Sequence, residues 1–110
     1  MNSITLKPEL VERAFHALTP EDRVEVFGVG AAFHRLSLAK KLEQSERKVR
    51  EFEARYHKTL AQVEAEGLPD DADYVMHEDY FEWRYWSRTQ EQTQKALNTL
   101  SLLLPMLEPS

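Results

Sequence analysis

Apolar residues recur at helical spacing along most of this chain. At the front, Ser3-Ile4-Thr5-Leu6-Lys7 alternates polar and apolar side chains and is the one strand candidate, which Pro8 interrupts. Pro8 suits the first turn of a helix, because its missing N–H would have no partner there. Leu10, Ala14, Phe15 and Leu18 share a face, which predicts a first helix over about 8–18. Thr19-Pro20-Glu21-Asp22 then joins a hydroxyl cap, a proline at the first helical position and two acids at the positive end of the helix dipole, so a second helix starts at Pro20. Gly28 and Gly30, beside Ala31 and Ala32, weaken it by about 1 kcal/mol per glycine relative to alanine. They also remove side-chain bulk, which suits a kink or a close helix crossing. A phosphate loop is disfavoured, because no strand precedes the glycines and no Gly-Lys-Ser/Thr follows.

From Arg35 to Val63 a seven-residue rhythm places Leu42, Val49, Tyr56 and Val63 at one seam position and Leu38, Ser45, Phe52 and Thr59 at the other. Glu43 before Arg47, Glu46 before Arg50 and Glu51 before Arg55 stand in the favourable acid-first order, worth about 0.2–0.5 kcal/mol per pair on a solvated face. The alternative for the same charges is a basic stripe for nucleic acid, which the interleaved glutamates oppose. Thr59 with Gln62 forms a capping box, so a bend around His57 to Thr59 should restart a short helix ending near Gly67. Leu68-Pro69-Asp70-Asp71-Ala72-Asp73 is a linker in which the chain reverses. A last helix over about 78–104 carries the most regular seam: Trp83, Trp86, Gln90, Thr93, Leu97, Leu100 and Leu104. The fold class that follows is all-α: a long antiparallel helical hairpin over 35–110 with a small N-terminal segment over 1–34.

Composition narrows the function. The 110 residues carry 14 Lys+Arg against 19 Asp+Glu, a formal net charge of −5 that argues against non-specific attraction to nucleic acid or anionic membrane. With no cysteine there is no disulfide, thiolate metal site or cysteine nucleophile, which fits a reducing cytoplasm. No apolar run approaches the roughly 20 residues of a membrane span, and the polar stretch Met1-Asn2-Ser3 lacks the charged and apolar regions expected of a secretion signal. His77-Glu78-Asp79 with Glu82 lacks the spacing of zinc proteases and di-iron bundles. Ser45 and Thr93 have no histidine and carboxylate in view for a triad. The expectation is therefore a cytoplasmic protein without catalytic residues, metal or cofactor.

The densest signal lies between Tyr74 and Trp86, where Tyr74, Tyr80, Phe81, Trp83, Tyr85 and Trp86 supply six of the eleven aromatics. At about 100° per residue, Tyr80, Trp83 and Trp86 occupy one side of the helix while Phe81 and Tyr85 point away. One hairpin partner cannot cover both sides. Tyr, Trp and Arg dominate binding energy at interfaces, so Tyr74, Tyr80, Phe81, Trp83, Arg84, Tyr85 and Trp86 are the candidate partner-binding residues. The alternative is that the N-terminal helices of the same chain cover them. Asp70, Asp71, Asp73, Glu78, Asp79 and Glu82 make this end acidic, suited to a basic partner.

Two resemblances extend this picture. Ile4-Thr5-Leu6-Lys7-Pro8-Glu9-Leu10-Val11-Glu12-Arg13 resembles the start of ribbon-helix-helix proteins, dimeric DNA binders in which alternate strand residues enter the major groove. The resemblance implies DNA contact through Ser3, Thr5 and Lys7. Residues 1–40 carry five basic and five acidic side chains, so no positive footprint accompanies it. Phe52-Glu53-Ala54-Arg55-Tyr56, Thr59-Leu60 and His77-Glu78-Asp79-Tyr80-Phe81-Glu82-Trp83 resemble a group of small bacterial helical proteins, several of them thought to be antitoxins of toxin-antitoxin pairs. That group usually has a glycine after the tyrosine, where this chain has His57. The resemblance implies an antitoxin-like protein that occludes a partner such as a small toxin nuclease, and the aromatic rings that one hairpin cannot cover add the expectation of a homodimer. The alternatives are a DNA-binding regulator and a structural coiled-coil homodimer.

Overall fold

The computed structural model describes residues 6–107. It is an all-α antiparallel hairpin with a small N-terminal helix: α1 (Pro8–Ala17), α2 (Pro20–Tyr56), α3 (Leu60–Glu66) and α4 (Tyr74–Leu103), closed by a 3₁₀ turn over Leu104–Leu107. No strand occurs among the described residues. Of the strand candidate, Ser3, Ile4 and Thr5 lie outside them, and Leu6 and Lys7 lead straight into α1.

The helix starts follow from local chemistry. The Thr19 hydroxyl accepts from the Asp22 N–H at 3.1 Å, with Pro20 opening α2. Thr59 and Gln62 form the expected reciprocal cap, the Thr59 hydroxyl accepting at 3.2 Å and the Gln62 side chain at 2.9 Å. α4 begins at Tyr74, earlier than the predicted 78, because the Asp73 carboxylate accepts from the Met76 N–H at 2.9 Å and caps a turn that the linker's aspartates disguised. The α-helix gives way to the 3₁₀ turn after Leu103, two residues before Pro105.

α2 runs unbroken for 37 residues, through both glycines and across position 34/35. A Cβ at Gly30 would meet open space, so within one chain this glycine does not sit at a helix crossing. α2 stops at Tyr56 because His57 adopts the left-handed conformation, φ 54° and ψ 35°. That position takes glycine in many helix ends.

The core is one seam. α2 buries Ala31, Leu38, Ser45 and Phe52, one per heptad, and α4 buries Trp83, Thr89 and Thr93. Trp86, Gln90, Leu97, Leu100 and Leu104 are half-buried along the same side, and Thr89 joins them one place ahead of Gln90. Phe52 meets Trp83 and Tyr56 meets Asp79, so a step of four along α2 is matched by a step of four back along α4. Continuing that register sets Ser45 level with Gln90 and Leu38 level with Leu97. The shape is extended, 61 × 35 × 26 Å with a radius of gyration of 19.6 Å, against about 13 Å for a compact domain of this length. α1 buries no residue, and the only buried apolar side chains among the described residues are Ala31, Leu38, Phe52 and Trp83.

Of the three predicted acid-first pairs on α2, none closes. Among the described residues the ion pairs are Lys48–Glu51, Arg55–Asp79, Lys58–Glu66 and Lys95–Glu91, so Glu51 turns to Lys48 and Arg55 leaves the helix surface for α4. An exposed pair is worth too little to hold a long side chain against a better-placed acceptor.

Candidate protein-binding surface

The aromatic end is built where the last turns of α2, the short α3 and the first turns of α4 converge. Trp83 is 1% exposed. Its indole stacks on Phe52 and on Tyr56, with centroids 5.8 Å apart in both cases and planes 20° and 17° from parallel. Phe52 and Tyr56 lie one turn apart, so together they form a platform for a single large ring. The buried indole N–H has no acceptor among the described residues. Beside it Tyr56, Val63, Leu68, Met76, Tyr80 and Trp83 line an apolar cavity of about 230 Å³.

A polar clasp closes the platform. The Asp79 carboxylate, 13% exposed, accepts from the Tyr56 hydroxyl at 2.5 Å and from the Arg55 guanidinium at 2.6 Å on the same oxygen. Burial alone pushes the Asp79 carboxyl up, but the hydrogen bonds from Tyr56 and Arg55 and the arginine charge together outweigh it and hold the group below its ordinary range. Burial and the bond to Asp79 push the Tyr56 hydroxyl up, and Asp79 raises the Arg55 guanidinium. The sequence placed Asp79 in an acidic, partner-facing cluster. Counting back one turn from Trp83 along the α4 seam would have found it on the hairpin side.

The seven candidate residues divide. Trp83 belongs to the hairpin's own core, where a partner cannot touch it in this fold. Tyr80 and Trp86 are half-buried on the same side, Tyr80 beneath the Arg84 guanidinium at 5.7 Å and Trp86 edge-on to Tyr85 at 5.0 Å. Tyr74, Phe81 and Tyr85 are exposed on the opposite side, together with Arg84. Phe81 and Tyr85, one turn apart, share a shallow groove with Arg84, Arg88, Thr89 and Gln92. At about 100° per residue, Glu78 and Glu82 border one side of this aromatic ridge and Arg84 and Arg88 the other. The N-terminal helices do not cover it: Phe81 and Tyr85 remain 59% and 56% exposed.

Of the DNA-contact candidates, Ser3 and Thr5 lie outside the described residues and Lys7 is an exposed residue just before α1. No group of three His, Asp or Glu side chains among the described residues converges on a metal-sized site, and none of the described helices is long and apolar enough to cross a membrane. Compared with family models, curated proteins and solved structures, the chain matches none of them.

Proposed function

We propose that this chain is an antitoxin-like interaction module, which binds a partner protein across the outer face of α4 and blocks the partner's working groove. The observation that carries the reading is the pair Phe81 and Tyr85, two large rings left more than half exposed on the side of α4 that the hairpin does not use. A helix that presents rings at i and i+4 to solvent has the anchor spacing of helix-in-groove recognition. Tyrosine beside arginine is the composition of interface hot spots. The glutamates and arginines bordering the ridge would fix the docking direction, because the partner must offer cations to one border and acids to the other. Occlusion requires no bond making, and the tightly clasped Trp83–Tyr56–Asp79 cluster serves to hold the ridge rigid.

The test is co-purification with the product of the adjacent reading frame. Phe81→Ala and Tyr85→Ala should each abolish it while helical circular dichroism is unchanged, because neither side chain holds the hairpin together. Retention of the partner by the double variant would refute the reading.

A further inference from the structure

A second seam lies on the back of α2. Val26, Val29, Phe33 and Leu36 follow one another at steps of three and four and are between 54% and 75% exposed. At about 100° per residue they lie opposite Ala31 and Leu38, which face α4. From Val26 to Ala39 the only ionisable residues are His34 and Arg35, and at the same angular step both lie away from the centre of this strip. Continuing the steps outward, the strip ends at Asp22 on one side and Lys40 on the other, both exposed and neither in an ion pair among the described residues. Glu21 and Glu25 strengthen the acidic end and Lys41 the basic one. Arg23, the opposing charge at the acidic end, is tied back to the Leu18 carbonyl at 3.2 Å.

A strip that is apolar in the middle, negative at one end and positive at the other is complementary to itself in one orientation only. Parallel pairing would oppose Asp22 to Asp22 and Lys40 to Lys40. Antiparallel pairing opposes each to its counter-charge. We propose that two copies of this chain dimerise through this strip, their α2 helices antiparallel about a two-fold axis level with Ala31. Val29 packs against the partner's Phe33, Val26 against the partner's Leu36, and Asp22 faces the partner's Lys40. This dimer is independent of the aromatic ridge on α4.

The experiment is sedimentation equilibrium of the full chain over a concentration series, with circular dichroism on each variant. The parent should show a monomer–dimer equilibrium. Phe33→Glu should weaken it at least about tenfold, the scale of about 1.4 kcal/mol on burying a charge against an apolar partner, with helicity unchanged. Asp22→Lys and Lys40→Asp should each weaken it several-fold, and the double variant should restore it, because only antiparallel pairing exchanges the two partners. A monomer at every concentration, as when α1 folds over the strip, would overturn the proposal. So would a dimer indifferent to Phe33→Glu, or a double variant no better than the single ones.

Discussion

Trp83 lies face to face with Tyr56, 5.8 Å between centroids, while the hydroxyl of the same tyrosine donates to Asp79 one turn before the tryptophan. One α2 residue thus serves both the apolar and the polar contact that register the hairpin. Trp83→Ala should cost about 3–5 kcal/mol of stability. Trp83→Phe should cost clearly less, since it keeps a ring on the platform and removes a buried N–H that finds no acceptor. Urea titrations of the three proteins check the order. A stability of Trp83→Phe no better than that of Trp83→Ala would show that the platform is not the stabilising element.

The clasp makes stability depend on pH at both ends. Asp79 ionises at lower pH in the folded chain than its ordinary 3.8, so its contribution is complete above that value and is lost as pH falls through the folded one. Tyr56 behaves in the opposite sense. Its hydroxyl is held protonated beyond the ordinary 10.0, so its contribution is complete below that value and is lost as pH rises through the folded one. Asp79→Asn removes the acceptor charge from Tyr56 and Arg55 and should cost about 1–3 kcal/mol at neutral pH. It should also flatten the acid limb of the stability profile and reduce the alkaline limb only in part, because burial is the larger cause of the raised Tyr56 hydroxyl. Thermal melts between acid and strongly alkaline pH measure this, and an unchanged acid limb in the variant would exclude Asp79 as its source.

His57 holds φ at 54°, where a side chain with a Cβ is strained by about 1–2 kcal/mol. Part of that strain is offset by the greater unfolded-state freedom of glycine. His57→Gly should therefore raise stability by about 0.5–1 kcal/mol, seen as a melting temperature higher by a few degrees. His57→Ala, which keeps the Cβ, should not.

Much of the hairpin was legible because its seams are written in heptads. Leu38, Ser45, Phe52, Trp83 and Thr93 are buried where the three-and-four spacing put them, and the caps at Thr19 and Thr59 follow from local hydrogen-bond chemistry that needs no tertiary context. The aromatic end was half legible. Spacing separates Phe81 and Tyr85 from Trp83, but the angle alone does not tell which rings the chain covers, and Trp83 is a core residue because Phe52 and Tyr56 happen to lie level with it. The pairing of Arg55 and Tyr56 with Asp79 was not legible, since these residues stand 24 and 23 positions from it in sequence and meet it only through the register between two helices. The start of α4 was misplaced because Asp73 looks the same in a linker as at a helix cap.

Ser45 tests how closely the two long helices approach. It is fully buried between Leu38 and Phe52 on the α2 seam, and its hydroxyl is already satisfied by the Leu42 carbonyl of its own helix at 2.8 Å. The polar atom therefore contributes little to holding α4, and what matters is that the side chain is small. Ser45→Ala should be neutral or stabilising by about 0.5 kcal/mol, the difference in helix propensity. Ser45→Leu restores the apolar heptad but must push α4 outward near Gln90, and overpacking of this kind costs about 1–3 kcal/mol. Denaturation midpoints decide between them. If leucine stabilised the chain, the helices would have room to spare at this level, and the register that sets Ser45 against Gln90 would be wrong.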